Sequence, residues 1–169
     1  MIPCLTNLSN ISRSKVDEET VFKNSVVLSN CRNDPALLPV AANAQAHKPI
    51  SLAGPESKLP FSDGMIAGNT LYIAGQEGRT ADGQLAEGGV AGETRAALEA
   101  IQKVVKAAGF DMKDIVSVNV FLADIKDFDE MNKVYKSIMP DPKPARATVQ
   151  VSGLVGAAHI EISAIAVKQ

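Results

Sequence analysis

Two oppositely charged residues near the C-terminus are the best placed in this chain to do chemistry. Arg146 stands in Pro144-Ala145-Arg146-Ala147-Thr148-Val149 and Glu161 in His159-Ile160-Glu161-Ile162. Both stretches read as β-strands whose alternate residues are small or apolar. A cation and a carboxylate rooted on rigid strands are what a site needs to hold a small carboxylate substrate and to move a proton or a water. Other routes are closed. The only cysteines, Cys4 and Cys31, lie in the first fifth of the chain, so a cysteine nucleophile, a CxxC redox motif and a thiolate zinc site are excluded from the folded region. Two histidines, His47 and His159, are too few for a histidine-based metal cluster, and neither has a nucleophile-elbow context. Carboxylates, Arg, Lys, hydroxyls and backbone groups are left to do any chemistry, with no metal expected.

The 169 residues suffice for one domain with a real core, and 46% hydrophobic with 21% charged residues is a globular balance. A net charge of −2 gives no electrostatic case for nucleic acid or an anionic membrane surface. No apolar run approaches the roughly 18 residues of a membrane span. Aromatic residues are 4%, with no Trp, against a base-stacking platform.

Residues 1–48 lack sustained periodicity and read as an extension, separate from a domain over 49–169. Within the extension, Leu37 to Ala46 resembles the end of a secretory signal with an Ala44-x-Ala46 cleavage site, but what precedes it is too long and too polar. The expectation is a cytoplasmic protein, with export and cleavage after Ala46 as the alternative.

Beyond residue 50 the pattern is regular. Met65 to Gly75 reads as a hairpin turning at Gly68-Asn69, and Ala81 to Gln84 as a tight turn. Val90, Thr94, Ala97, Leu98, Ile101, Val104, Val105 and Ala108 recur at helical spacing, with Gly109 as the cap. The Lys103–Lys106 region is the solvated face of that helix. Asp114 to Leu122 alternates, placing Val116, Val118, Val120 and Leu122 on one face. Phe128, Met131, Tyr135 and Ile138 mark a second helix, stopped by Pro140 and Pro142. In the last two strands Arg146, Thr148, Gln150 and Ser152 oppose Ala145, Ala147, Val149 and Val151, and His159, Glu161 and Ser163 oppose the Ile and Ala positions. One apolar stripe per helix predicts both helices on the apolar face of one sheet. The other face is then expected to carry Asn119, Arg146, Thr148, Gln150, His159, Glu161 and Ser163. An uncovered face of that kind is commonly buried against another copy, so a homo-oligomer is expected.

These residues resemble the Rid proteins, or reactive intermediate deaminases. The resemblance covers roughly residues 50–169: Gly68 to Gln76, Glu87-Gly88-Gly89-Val90, Thr94 to Ile101, Val120-Phe121-Leu122-x-Asp124 with Asp127-Phe128, Asn132-x-Val134-Tyr135, and the signature Pro144-Ala145-Arg146 followed by Ile160-Glu161-Ile162. It implies a chorismate-mutase-like α/β (α+β) fold, a mixed sheet of about six strands with two helices on one face. It also implies a homotrimer with sites in clefts between subunits. The implied activity is cofactor-free hydrolysis of enamines and imines of the 2-aminoacrylate or 2-iminobutanoate type to 2-oxo acids and ammonia. The alternative is a non-catalytic trimeric module that binds small carboxylates or protein partners in the same clefts.

By this resemblance Arg146 anchors the substrate carboxylate, through a planar two-donor fork that Lys does not reproduce; the residues alone equally allow an interface salt bridge. Glu161 becomes the water-orienting acid, able to serve both proton steps if burial raises its pKa; the bland reading is a structural partner of Arg146 or His159. His159 itself reads as a packed strand residue. Asn132 matches a site-lining Asn that would otherwise be a solvated helix residue. Gly75 matches a glycine where backbone approaches the ligand, or else marks a β-bulge. Thr148 shares the face of Arg146, where the family often has Cys or another small residue. Two positions depart from the family: Phe61 stands where it has a tyrosine and Ala74 where it has a serine. Both remove a hydroxyl, which predicts a more apolar pocket, altered substrate preference and slower deamination.

Overall fold

The computed structural model describes residues 46–54 and 59–169; the expectations for Cys4, Cys31 and most of 1–48 lie outside the described residues. Six strands form one mixed sheet: β1 (Lys48–Ile50), β2 (Gly64–Ala67), β3 (Thr70–Glu77), β4 (Ile115–Leu122), β5 (Ala145–Gln150) and β6 (Ile160–Val167). Their spatial order is β1-β2-β3-β6-β4-β5. All neighbours are antiparallel except β4 and β5, which are parallel. Helices α1 (Gly89–Ala107) and α2 (Phe128–Ile138) connect β3 to β4 and β4 to β5, and they pack against each other on one face. This is the sheet and helix arrangement expected. The strand β1 is an addition, too short to leave a periodic signal.

Both helices form for the reasons their spacing gives. Val90, Ala97, Leu98, Ile101, Val104 and Val105 of α1 are buried, as are Met131 and Tyr135 of α2. They meet Leu71, Ile73, Val118, Val120, Leu122, Ile160 and Ile162 from the sheet in one core. Each Val, Leu, Ile or Met side chain among them contributes about 1.5–3 kcal/mol on full burial. At the end of α1 the Gly109 N–H donates to Lys106 O at 3.0 Å and the Phe110 N–H to Val105 O at 2.9 Å. With Gly109 at φ 75°, this is a Schellman ending, and it folds Phe110 back onto the core.

Two expectations about faces are corrected. Val116 is exposed, because the β4–β6 register shifts between Ile115 and Ser117 and turns it out of line with Val118 and Val120. The larger correction concerns β5. Its register pairs Val118 with Arg146, Val120 with Thr148 and Leu122 with Gln150. Since Val118, Val120 and Leu122 are buried beneath the helices, Arg146, Thr148 and Gln150 share the helix-covered face. Glu161 pairs with Phe121 and Ser163 with Asn119, on the open face, together with Ala147 and Val149. Arg146 and Glu161 therefore leave opposite faces of the sheet.

Candidate functional site

Arg146 reaches up from β5 into α2. Its Nη2 donates to Asn132 Oδ1 at 2.7 Å, and its Nη1 lies 4.0 Å from Met131 Sδ. The guanidinium carbon sits 4.5 Å from the Tyr135 ring centroid and 5.7 Å from that of Phe128. A guanidinium can enter this half-buried place because it is weakly hydrated and stacks on aromatic faces. Residues Phe128, Met131, Asn132 and Tyr135 recur at three- and four-residue steps, so one helical face builds the whole socket. Asn132 thus holds one end of the fork. Arg146, Asn132 and Tyr135 line a cleft of about 440 Å³ with Lys136, Lys143 and Pro144. Two hydroxyls on this covered side of the sheet, Tyr135 Oη and Thr148 Oγ1, are buried with no hydrogen-bond partner among the described residues. Burial pushes the Tyr135 phenol up, and the Arg146 charge opposes that rise.

Glu161 belongs to a separate cleft of about 550 Å³, which it shares with Phe61, Ala74, Gly75, Glu77 and Arg79. The β3–β6 register shifts between Ile73 and Gln76, so Gly75 sits in a bulge. A Cβ built at Gly75 would fall 1.9 Å from Glu161 Oε1. The bulge expected as one reading of this glycine is present, and the missing side chain is the space in which the carboxylate lies. Burial raises the Glu161 pKa, and the nearby Glu77 charge raises it further. Glu161 makes no ion pair with Arg146 or His159 among the described residues. A carboxylate without an arginine partner and pushed upward holds a proton more readily than an exposed one.

His159 is occupied elsewhere. Its backbone N–H donates to Glu93 Oε2 at 2.7 Å, and its Nδ1 lies 2.6 Å from Glu93 Oε1. Glu93 is 1% exposed on α1, while the His159 side chain is half exposed. The ring is therefore a paired clamp on a buried carboxylate, not the packed strand residue expected on the Glu161 face. Its pKa is raised, first by the hydrogen bond to Glu93 and then by that group's charge.

The structure thus brings together Phe61, Ala74, Gly75 and Glu161 in one cleft, and Arg146 and Asn132 in another; Thr148, on the same face of β5 as Arg146, lines neither. It does not join the two sets within one chain. A larger cavity of about 650 Å³, around Phe110 and Lys168, holds none of these residues. Residues missed from sequence include Arg79 and Glu77. Arg79 Nε donates to Glu77 Oε2 at 2.6 Å, Nη1 to Gly83 O at 2.9 Å and Nη2 to Val155 O at 3.2 Å. Their two-residue spacing across Gly78 was the available signal, but it reads equally as a solvated loop.

An α/β sheet with one open face and two half-clefts, one cationic and one acidic, is the class of protein this fold and site define. Residues 52–168 match the family described as Endoribonuclease L-PSP, and the chain belongs to it, the same family as the Rid proteins. It is 45% identical over 123 residues to a Bos taurus protein named 2-iminobutanoate/2-iminopropanoate deaminase, covering 72% of this chain and 90% of the relative. A Homo sapiens protein of the same name is 42% identical over 110 residues, covering 64% and 80%. The solved structure of E. coli TdcF with bound serine superposes with a TM-score of 0.66 at 31% identity, covering 72% of this chain and 99% of that one.

Proposed function

We propose that this protein hydrolyses 2-imino acids, the tautomers of enamines such as 2-aminoacrylate, to 2-oxo acids and ammonia. The observation that carries the reading is the division of the site. Arg146 lines a cleft with Asn132, and Glu161 one with Phe61, Ala74 and Gly75, yet the two leave opposite sheet faces. A second copy lying against the open face would bring its Arg146 half to the Glu161 half of the first. That face and the rim of the acidic cleft expose Tyr72, Val149, Leu59, Phe61 and Val155, apolar area that another copy would cover. The resemblance sets the number of copies at three.

In the joined cleft Arg146 would take the substrate carboxylate through two N–H groups, with Asn132 fixing the fork. Water then adds to the carbon of the protonated imine as its proton passes to the Glu161 carboxylate. The resulting carbinolamine nitrogen takes that proton back. As the C–N bond breaks, the hydroxyl proton leaves with ammonia, giving the 2-oxo acid and ammonium. One carboxyl whose pKa is raised serves both steps. As written, the chemistry needs no cofactor or metal. Phe61 and Ala74 give apolar walls. A catalyst of this kind would remove reactive intermediates as metabolite damage control. We place it in the cytoplasm, with an N-terminal extension ahead of the expected 49–169 domain, whose first strand reaches back to Lys48; one relative, from Schizosaccharomyces pombe, is named as mitochondrial.

The test is ammonia release from 2-aminoacrylate generated in situ by a serine dehydratase, with Arg146→Ala alongside. Acceleration that disappears in the variant supports the reading. A folded protein that does not accelerate release turns it to the binding module.

A further inference from the structure

The acidic cleft holds a charged side chain, Glu77, that the reaction above does not use. Glu77 stands directly across from Glu161 in the β3–β6 register, so both side chains leave the same face with Cβ atoms about 4.5–5.5 Å apart. Like charges so placed are mutually unfavourable, and in most sheets such a pair would relax by turning one side chain to solvent. Glu77 is not free to turn. Arg79 grips its Oε2 at 2.6 Å, and the same guanidinium is tied to Gly83 O and Val155 O. The Glu77 side chain is only 15% exposed. Glu161 is equally confined, lying in the space over Gly75. Two carboxylates are thus locked face to face, one of them at the reacting centre.

We propose that Glu77, locked by Arg79, is a positioning residue for Glu161: its fixed negative charge sets how readily Glu161 holds a proton. This rests on the reading above for what Glu161 does with that proton. The other charged groups around Glu161 are few. Asp63, ahead of β2, has its Oδ2 engaged by the Leu52 N–H at 2.8 Å. Arg79, on the loop after β3, lines the same cleft, and its charge, paired to Glu77, offsets part of what that carboxylate exerts on Glu161. From β4 the facing residue is Phe121, from α1 it is Ala100, and from the turn before β6 it is Val155, none of them charged. The proposed two-copy cleft adds the neighbour's Arg146. Glu77 alone is directly opposite. A carboxyl that must take a proton from water and return it to a leaving amine needs its two forms close in energy. A fixed anion beside it, acting with burial, moves it toward that balance.

The test is a 13C NMR titration of the full chain labelled at the glutamate side-chain carboxyl, with the Glu161 signal assigned through Glu161→Gln. In the wild type the Glu161 midpoint lies above that of exposed glutamates. Glu77→Gln, nearly isosteric but neutral, lowers it; Glu77→Asp, which keeps the charge, leaves it raised. A midpoint unmoved in Glu77→Gln, or lowered equally in both variants, overturns the proposal. The acid limb of the kcat/KM profile for ammonia release is measured in parallel, and it moves to lower pH in Glu77→Gln together with the NMR midpoint. If the midpoint moves but the wild type releases no ammonia, the deaminase reading fails and the role of Glu77 stands, because the titration needs no turnover.

Discussion

Chains that lack Arg146 and chains that lack Glu161 should rescue each other. Under the proposed arrangement each cleft takes its Arg146 from one copy and its Glu161 from the next. An Arg146→Ala ring has no intact cleft, and neither has a Glu161→Gln ring. Losing the acid–base group alone costs on the order of 10²–10⁴-fold. When the two variants are unfolded together in equal amounts and refolded, a given cleft receives an intact Arg half with a chance of one half and an intact Glu half with the same chance. About a quarter of the clefts are then whole, whatever the size of the closed ring. A return to about a quarter of wild-type activity stands far above the variants' background. The assay is ammonia release from 2-aminoacrylate, and the control is the same variants refolded apart and then mixed. Activity no greater than that control refutes the divided site. The opposite-face placement of Arg146 and Glu161 would then have no catalytic meaning.

Gly75→Ala puts a methyl where Glu161 Oε1 lies, 1.9 Å from the new Cβ. The carboxylate must move by an ångström or more, and kcat should fall on the order of 10²-fold while circular dichroism shows the fold retained. Ala74→Ser and Phe61→Tyr return the two missing hydroxyls to the acidic cleft. Each should raise kcat/KM for 2-iminopropanoate by up to about tenfold, the worth of one hydrogen bond of about 1.5 kcal/mol. The His159–Glu93 clamp gives a pH signature. The His159 pKa is raised in the folded state from 6.5, so its stabilisation is fully present below that value and lost as pH rises through the folded pKa. The Tm gap between wild type and His159→Gln should therefore be widest below pH 6.5 and narrow as pH rises through the folded pKa; a gap that widens with pH contradicts the clamp.

Helical periodicity made α1 and α2 legible almost to the residue, because a stripe repeating every three to four positions has only one structural reading at that length. Alternation likewise showed which residues of β5 and β6 travel together. It did not show which set turns toward the helices. In β5 the small Ala145 and Ala147 suggested a buried side and Arg146 a wet one, yet the structure reverses them. The physical reason is α2: Phe128 and Tyr135 give the guanidinium aromatic faces and Asn132 gives it an acceptor, so the charged side is the covered one. No local pattern in β5 carries that information, since it comes from a parallel register with β4 and a helix before it. Val116 was misplaced for a similar reason, a bulge that alternation cannot see. Of the expected site residues, the grouping into two clefts emerged only in three dimensions.

Arg79 has a consequence for the protein's durability. One guanidinium joins the loop at Gly83 to the turn at Val155, and it fits because Gly156 has no side chain; a Cβ there would come within 2.3 Å of Nη2. These two segments, some seventy residues apart in the chain, share this guanidinium as a fastening, added to the loop's own bonds between Thr80 and Gln84. Losing it would release both at once, so Arg79→Ala should become open to proteolytic nicking near residues 80–85 and near 153–157 together, at matched rates, while the sheet and helices stay resistant.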